Sequence, residues 1–176
     1  GLEDLVTPPY DVIGKHAESA FVARSPYNII RLDITKDPGK TKADEQDRYL
    51  QAVSLLHDWL KEGILLRDDQ SSVYPYTIKY RLPDGTTKIR LGFICLVRLT
   101  DFSEGIVKPH EQTFTSVIQD RLMLTRYCRA QFSQVFSVFS DPDNSVMNAL
   151  AAAASTPLSS VNDSDGNEHI LSQVSD

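Results

Sequence analysis

A short polar run at residues 108–113, Lys-Pro-His-Glu-Gln-Thr, carries the side chains best suited to chemistry. Glu111 is predicted to act as a general base toward a hydroxyl, because a carboxylate held beside such a group can accept its proton. His110 stands next to it, and Ser116 with the backbone N–H groups of the following helix is suited to holding an anion. The run therefore predicts a reactive loop between a strand and a helix.

The same residues also have a purely structural interpretation. Pro109 would set a turn, His110 would bond to a backbone carbonyl, and Glu111 would cap the helix or pair with Arg121 or Lys108. A single His-Glu pair recurs by chance, so residue types alone favour this structural interpretation. Both interpretations stay open at this point.

Two other kinds of site lack support in the sequence. Metal chemistry of the metalloprotease type needs paired histidines at i and i+4, and the histidines here are far apart: His16, His57, His110 and His169. A Gly-Lys-Thr at residues 39–41 lacks the first glycine of a phosphate-binding loop and indicates a surface turn. No metal site is expected.

The amino-acid composition limits the classes of protein to which the chain can belong. The chain has 176 residues, 41% hydrophobic and 24% charged, which is typical of a soluble globular protein with no membrane span. Its net charge of -6 disfavours a nucleic-acid partner, whose backbone recruits clustered Lys and Arg. The first residues lack a secretory signal, and Cys95 and Cys128 are predicted to be small buried side chains, so a cytoplasmic location is expected.

The first half of the chain alternates loops, helices and one strand. Two prolines at residues 8 and 9 indicate an ordered loop or an edge. Helices are predicted over residues 15–24 and from a cap at Thr41 to a stop at Gly63, and a strand over residues 28–34. Trp59 is expected in the core, because it is spaced with the apolar side of its helix.

The second half predicts a hairpin followed by the reactive loop. Strands at residues 74–82 and 89–99 flank an Asp-Gly turn, and residues 91–99 are expected to be the most buried strand. Further elements are predicted as a helix at 116–129 capped by Ser116, a strand at 135–139, a helix from 141 to 154, and strands at 158–161 and 168–174. The fold class is α+β, with a mixed or antiparallel sheet, a central hairpin and packed helices.

The domain organisation has two readings. Residues 1–176 form either a single α+β domain or the N-terminal fragment of a larger protein. A sub-boundary near residues 100–106 would separate the hairpin-containing module from the module that holds the His-Glu loop.

Five motifs in a fixed order resemble one family. They are Pro-Pro-Tyr-Asp-Val at 8–12, Asn-Ile-Ile-Arg-Leu at 28–32, the Trp to Leu run at 59–65, His-Glu-Gln-Thr at 110–113 and Asp-Arg-Leu at 120–122, closed by Asp-Ser-Asp-Gly-Asn-Glu-His at 163–169. In this order the chain resembles the domain-of-unknown-function family one thousand and fifteen. That family is similar to archaeal ADP-dependent free-serine kinases and to the ParB and sulfiredoxin fold.

The resemblance implies roles for particular residues. Glu111 corresponds to the glutamate that takes the proton of the substrate hydroxyl as phosphate arrives, and His110 is catalytic with it. The implied substrate-binding residues are Thr113, Asp120, Arg121, Tyr10 and Asp11. The chain departs from the family pattern at Val117-Ile118, where relatives carry Pro-Lys, and at Gln134, where a proline is usual. The missing lysine removes one phosphate contact.

The resemblance also implies a larger protein. Relatives continue into an Asp-Gly-His-His-Arg segment that looks like a nucleotide-phosphate site, and this chain ends before such a segment. The expected function is the N-terminal, substrate-side part of a phosphotransferase acting on a small hydroxylated metabolite, inactive by itself. A nucleotide, ADP or ATP, with or without Mg²⁺, is expected to bind the full-length protein. No cofactor is expected to bind this fragment tightly. The expected partners are the substrate and the downstream segment of the same polypeptide.

Two alternatives belong to other functional classes. The first is a nucleotide- or metabolite-binding module without catalysis, since one fold serves many functions. The second is a ParB-like nucleic-acid binder, which the acidic balance makes the least favoured.

Overall fold

The chain was described from a computed structural model, which covers residues 1–33, 42–110, 114–154 and 156–175. It forms two compact units. Unit 1 contains Gly1–Arg31, Leu66–Cys95 and Gln134–Asp176, and unit 2 contains Leu32–Leu65 and Leu96–Ser133. Among the described residues, no helix is both long enough and apolar enough to cross a membrane.

Unit 1 is built on an antiparallel sheet. Its strands are β1 (Ser72–Arg81), β2 (Thr87–Ile94), β3 (Ser159–Asn162), β4 (Glu168–Leu171) and β5 (Val174–Ser175). They lie in the order β2-β1-β4-β3, and β5 pairs with the beginning of β1. The turn between β1 and β2 places Gly85 at a φ of 86°, a conformation that glycine adopts without steric cost. The predicted α+β class and the central hairpin are confirmed.

The second hairpin strand is shorter and more exposed than predicted. It ends at Ile94, which pairs with Tyr74, and the side chains beyond it are open to solvent, with Leu96 100% and Leu99 96% exposed. Strand β1 begins at Ser72, so residues past Leu96 have no strand residue opposite them. The predictions that residues 91–99 form the most buried strand and that Cys95 is buried are therefore wrong.

The strand predicted at residues 28–34 is also wrong over its described part. Ile29–Arg31 is a short 3-10 helix, and Asn28 immediately before it is fully buried. The Asn28 side chain accepts a hydrogen bond from the Ile30 N–H at 3.0 Å and donates to the Asp4 carbonyl at 2.7 Å. A side chain that binds the backbone locally competes with a strand ladder, and here it turns the chain instead.

Residues 135–139 follow the edge of the sheet without joining it. The Phe139 ring meets the Phe93 ring edge-on at 5.4 Å, and the Arg90 guanidinium lies 5.8 Å from the Phe136 ring. No backbone hydrogen bond joins this segment to β2 in this described part of the chain. The strand predicted here is wrong, although its side chains contact β2.

Two helices complete unit 1. They are α1 (Lys15–Arg24), as predicted, and α4 (Ser145–Ala153), which begins after the residue predicted to start it. The Asp141 carboxylate accepts hydrogen bonds from the backbone N–H groups of Val146 and Met147, so it caps α4 from outside. The side chains of Ile13, Phe21 and Ile30 form a small hydrophobic core.

Unit 2 pairs two longer helices, which are here numbered α2 (Lys42–Lys61) and α3 (Thr115–Cys128). Their shared core contains Tyr49, Ala52 and Leu124, and the Tyr49 ring stacks on the Tyr127 ring at 5.5 Å. This core orients α3, the helix that follows the His-Glu loop.

The ends of both helices test the sequence predictions. Trp59 is 3% exposed, and Gly63 has a φ of 73° after the end of α2, so both predictions there are confirmed. The cap predicted at Thr41 and the turn at residues 39–41 lie outside the described residues. Helix α3 begins at Thr115 with Phe114 in the cap position, so the predicted Ser116 cap is wrong.

Candidate functional site

The loop that sequence singled out is only partly described. Glu111 and Thr113 lie outside the described residues, and His110, the last described residue before them, is exposed. The described structure resumes at Phe114 and enters α3 at once. Helix α3, which follows the loop in sequence, therefore provides the described part of the site.

The first turn of α3, which follows this loop in sequence, has backbone N–H groups that can hold an anion. The first intrahelical bonds run from the N–H groups of Val117 and Ile118 to the Phe114 carbonyl, so the N–H groups of Thr115 and Ser116 precede them. Such groups attract negative charge at a helix N-terminus. Among the described residues, no group of three or more His, Cys, Asp or Glu side chains is placed to share a metal ion.

Asp120 anchors α3 from its buried side. Its Oδ1 atom accepts hydrogen bonds from the Arg48 guanidinium and from the Tyr49 hydroxyl, the latter at 2.7 Å. Its Oδ2 atom accepts two from Arg121, at 3.1 Å from Nε and 2.6 Å from Nη2. The carboxylate is 6% exposed, so it is held by two cations away from water.

Arg121 extends the contacts to a second carboxylate. Its Nη1 atom donates to Asp33, which is itself buried and also accepts a hydrogen bond from the Ser133 hydroxyl. We call this set the Asp120 network: Asp33, Arg48, Tyr49, Asp120, Arg121 and Ser133. Two carboxylates and two guanidinium groups balance in charge, as a buried ionic group requires.

Three members of the network, Asp120, Arg121 and Tyr49, have shifted pKa values. Burial alone would raise the pKa of Asp120, but hydrogen bonds from Arg121 and Tyr49 and the charges of Arg48 and Arg121 bring it below its ordinary value. Burial alone would lower the pKa of Arg121, but Asp120 and Asp33 raise it. The pKa of Tyr49 is raised, first by burial and then by Asp120. These three groups therefore hold charge and geometry, and do not exchange protons near neutral pH.

The structure brings together some of the predicted site residues. Asp120 and Arg121 meet in one network of unit 2, where their polar atoms bond to protein partners. Tyr10 and Asp11 belong to unit 1, in the 3-10 helix Tyr10–Val12, where Asp11 is exposed and Tyr10 half-buried.

Four members of the network were not anticipated from sequence: Asp33, Arg48, Tyr49 and Ser133. One sequence signal pointed to the kind of partner that Arg48 supplies. Asp120 lies at helical spacing between Val117 and Leu124, on the apolar side of α3, where an ionised carboxylate is costly without a buried cation. That spacing predicts a cationic partner on the facing helix, but it does not say which one.

Comparisons with known proteins place the chain in a family without adding a known activity. No curated protein and no solved structure matched it. Residues 1–176 match the family described as "Protein of unknown function (DUF1015)", and the chain belongs to that family.

Proposed function

We propose that this chain is the N-terminal, substrate-side part of a phosphotransferase that transfers a phosphoryl group from a nucleotide to a small hydroxylated metabolite. Unit 2 supplies the acceptor side of the reaction. Glu111 is the general base, and His110 and Thr113 orient the acceptor hydroxyl.

The observation that carries the proposal is the Asp120 network, which holds helix α3, the element that follows residues 110–113 in sequence. Phosphoryl transfer depends mainly on positioning and charge neutralisation, so a base on a loop must be supported by a rigid element. Helix α3 begins directly after residues 110–113, and Asp120 is bonded to Arg48, Tyr49 and Arg121. In this proposal Asp120 and Arg121 are positioning residues, because their bonds are made within the protein.

The nucleotide side completes the proposal. The N–H groups at the start of α3 approach the transferred phosphoryl group, and ADP or ATP with Mg²⁺ is held together with a downstream segment of the parent polypeptide. A ParB- and sulfiredoxin-like arrangement and a cytoplasmic location belong to the same proposal.

A transfer assay on the full-length parent protein tests this function. Nucleotide is supplied with Mg²⁺ and free serine or another hydroxylated metabolite, and the phosphorylated product is followed by phosphorus NMR. We expect transfer by the wild type, and a fall of roughly two to four orders of magnitude for Glu111→Gln with little change in nucleotide affinity.

The matched control is Glu104→Gln in an exposed turn of the same unit. The Glu104 side chain accepts a hydrogen bond from the Asp101 N–H at 3.1 Å, and a glutamine oxygen retains that acceptor. Transfer by this variant should equal that of the wild type. If Glu111→Gln kept wild-type activity, Glu111 would not be the general base, and its role would be structural.

A nucleotide- or metabolite-binding module without catalysis is the second candidate. It is favoured by the protonation of Asp120, Arg121 and Tyr49, none of which offers a base near neutral pH. Calorimetry on the same full-length protein separates the two functions. Nucleotide binding without transfer to any acceptor supports the module, and loss of nucleotide binding in Glu111→Gln would assign Glu111 to ligand binding.

A further inference from the structure

A second group of reactive side chains lies in unit 1, on one face of the sheet. The Tyr76 hydroxyl is 2.6 Å from His169 Nδ1, and His169 Nε2 is 2.9 Å from Asp163 Oδ2. The three side chains form a continuous hydrogen-bonded chain from a phenol through an imidazole to a carboxylate. A hydroxyl, a base and a group that orients the base are the parts of an activated nucleophile.

The direction of these hydrogen bonds follows from charge. Burial alone would raise the pKa of Asp163, but hydrogen bonds from His169, Asn167 and the backbone lower it to about 2. The carboxylate is therefore ionised at neutral pH and can only accept, so His169 Nε2 donates to it. In the neutral form of the ring, Nδ1 is then an acceptor, and the Tyr76 hydroxyl donates to that atom.

The turn before β4 holds the orienting carboxylate. Asp163 Oδ1 accepts hydrogen bonds from the backbone N–H groups of Asp165 at 2.9 Å and Asn167 at 2.8 Å. Gly166 has a φ of 81°, which closes this turn. On the sheet, His169 pairs with Ile78 across β1 and β4, which places its ring beside Tyr76 on the same face.

The surface beside the phenol is open and positively charged. Gly92 pairs directly with Tyr76 across β1 and β2, and a Cβ atom placed there would meet nothing within 4 Å. Arg90 and Lys88 lie on the same face of β2, pairing with Ile78 and Tyr80, and both are exposed. The space above Gly92, beside Tyr76, is therefore empty, and two exposed cations lie along the same face of β2.

We propose that Tyr76 is a nucleophile activated by His169 and Asp163, and that it accepts a phosphoryl group from a small anionic phosphoric anhydride. The phenol oxygen forms a bond to phosphorus as its proton moves to His169 Nδ1. The phosphorus–oxygen bond to the leaving group breaks, and the leaving group departs with the electron pair. Asp163 stabilises the imidazolium that results. This site is independent of Glu111.

The high pKa of the phenol explains why a base is required. Burial and then the negative charge of Asp163 raise the pKa of Tyr76, so the phenol is protonated at neutral pH. Its reactivity depends on proton transfer to His169 during the attack, and not on a standing phenolate.

The experiment compares Tyr76 with Tyr80 in one sample. Both lie half-buried on the same face of β1, but the ring of Tyr80 contacts the Arg90 guanidinium at 5.7 Å. The chain is incubated at neutral pH with an arylsulfonyl fluoride that carries a carboxylate, and labelling is followed by peptide mass spectrometry. The phenol oxygen bonds to sulfur, fluoride leaves, and His169 takes the proton.

We expect Tyr76 to be labelled about a hundredfold faster than Tyr80, and the ratio to fall to about one in His169→Gln. Asp163→Asn, a milder change, should lower the ratio of Tyr76 to Tyr80 labelling only in part. In a parallel incubation, acetyl phosphate should add one phosphoryl group to the wild type and none to Tyr76→Phe. Equal labelling of Tyr76 and Tyr80 in the wild type, an unchanged ratio in folded His169→Gln, or no phosphoryl adduct on Tyr76 would each overturn the proposal.

Discussion

The Asp120 network of unit 2 and the Tyr76–His169–Asp163 chain of unit 1 use similar groups in opposite ways. In the first, the side chains of Arg48 and Asp120 are 11% and 6% exposed, and opposite charges are paired. In the second, the side chains of His169 and Asp163 are 23% and 28% exposed, and an imidazole ring joins a phenol to a carboxylate.

The difference separates positioning from reactivity. Charges that are buried and paired with permanent cations keep one protonation state, so they fix geometry. A histidine between a donor and an acceptor can gain a proton without leaving its place, so it can take part in a reaction. The two groups therefore lead to different predictions about the free energy of unfolding and its dependence on pH.

The largest expected effect is on the Asp120 network. Asp120→Ala leaves the guanidinium groups of Arg48 and Arg121 without the carboxylate between them, so we expect the free energy of unfolding to fall by about 3–5 kcal/mol. Urea denaturation of the chain measures it. Asp58→Ala, at an exposed position of α2, is the control and should change little. A small loss for Asp120→Ala would show that the network does not hold α2 and α3 together.

The next effect tests the apolar part of the same unit. Trp59→Ala removes a large side chain that is 3% exposed, and we expect a loss of about 3 kcal/mol in the free energy of unfolding. Leu60→Ala, on the exposed side of the same helix, should cost much less. Equal costs for the two substitutions would mean that ionic contacts, and not this side chain, hold the end of α2.

Acid should destabilise unit 1 through Asp163. The pKa of this carboxyl is about 2 in the folded chain against an ordinary 3.8, so its contribution is fully present above pH 4 and is lost as pH falls toward 2. Allowing for its partial exposure, we expect about 1–2 kcal/mol. The measurement is the free energy of unfolding against pH for the wild type and Asp163→Asn. Parallel curves below pH 4 would contradict the prediction.

The smallest effect concerns a half-exposed ion pair on the opposite face of the sheet. Lys79 and Glu168 pair across β1 and β4 with a distance of 2.9 Å between Nζ and Oε2. Both are solvated, so Lys79→Met should change the midpoint of unfolding less than any substitution above. Whatever change exists should vanish in high salt. A change that persists in high salt would show that the pair is shielded from solvent.

Local features of the sequence predicted the regular elements well. The spacing of apolar residues in α2 predicted the burial of Tyr49 and Trp59, but it also placed Leu60, which is exposed, on the buried side. The Asp-Gly pair predicted the β1–β2 turn. Both depend on contacts between residues close in sequence. Gly63 and Gly85 both have positive φ, which the sequence anticipates because few other residues adopt it.

The errors occur where partners distant in sequence decide the outcome. The apolar run after Ile94 reads as a strand, but a strand forms only where another backbone pairs with it, and β1 begins at Ser72. Asn28 shows the same dependence, because its side chain is buried against the Asp4 carbonyl, 24 residues earlier in the chain. Residues 135–139 carry strand-forming side chains without a ladder.

The sequence by itself determined the α+β class, the hairpin, the position of α2 and the family motifs that point to residues 110–113 and to Asp120 and Arg121. Only the tertiary structure decided that Asp120 bonds to Arg48 and Tyr49 across more than 70 residues, and that Tyr76 meets His169 from the far end of the chain. The physical reason is the distance along the sequence between the residues that interact. Turn and helix preferences depend on a few neighbouring residues, whereas a buried charge or a hydrogen-bonded histidine takes its partners from whichever element the fold brings beside it.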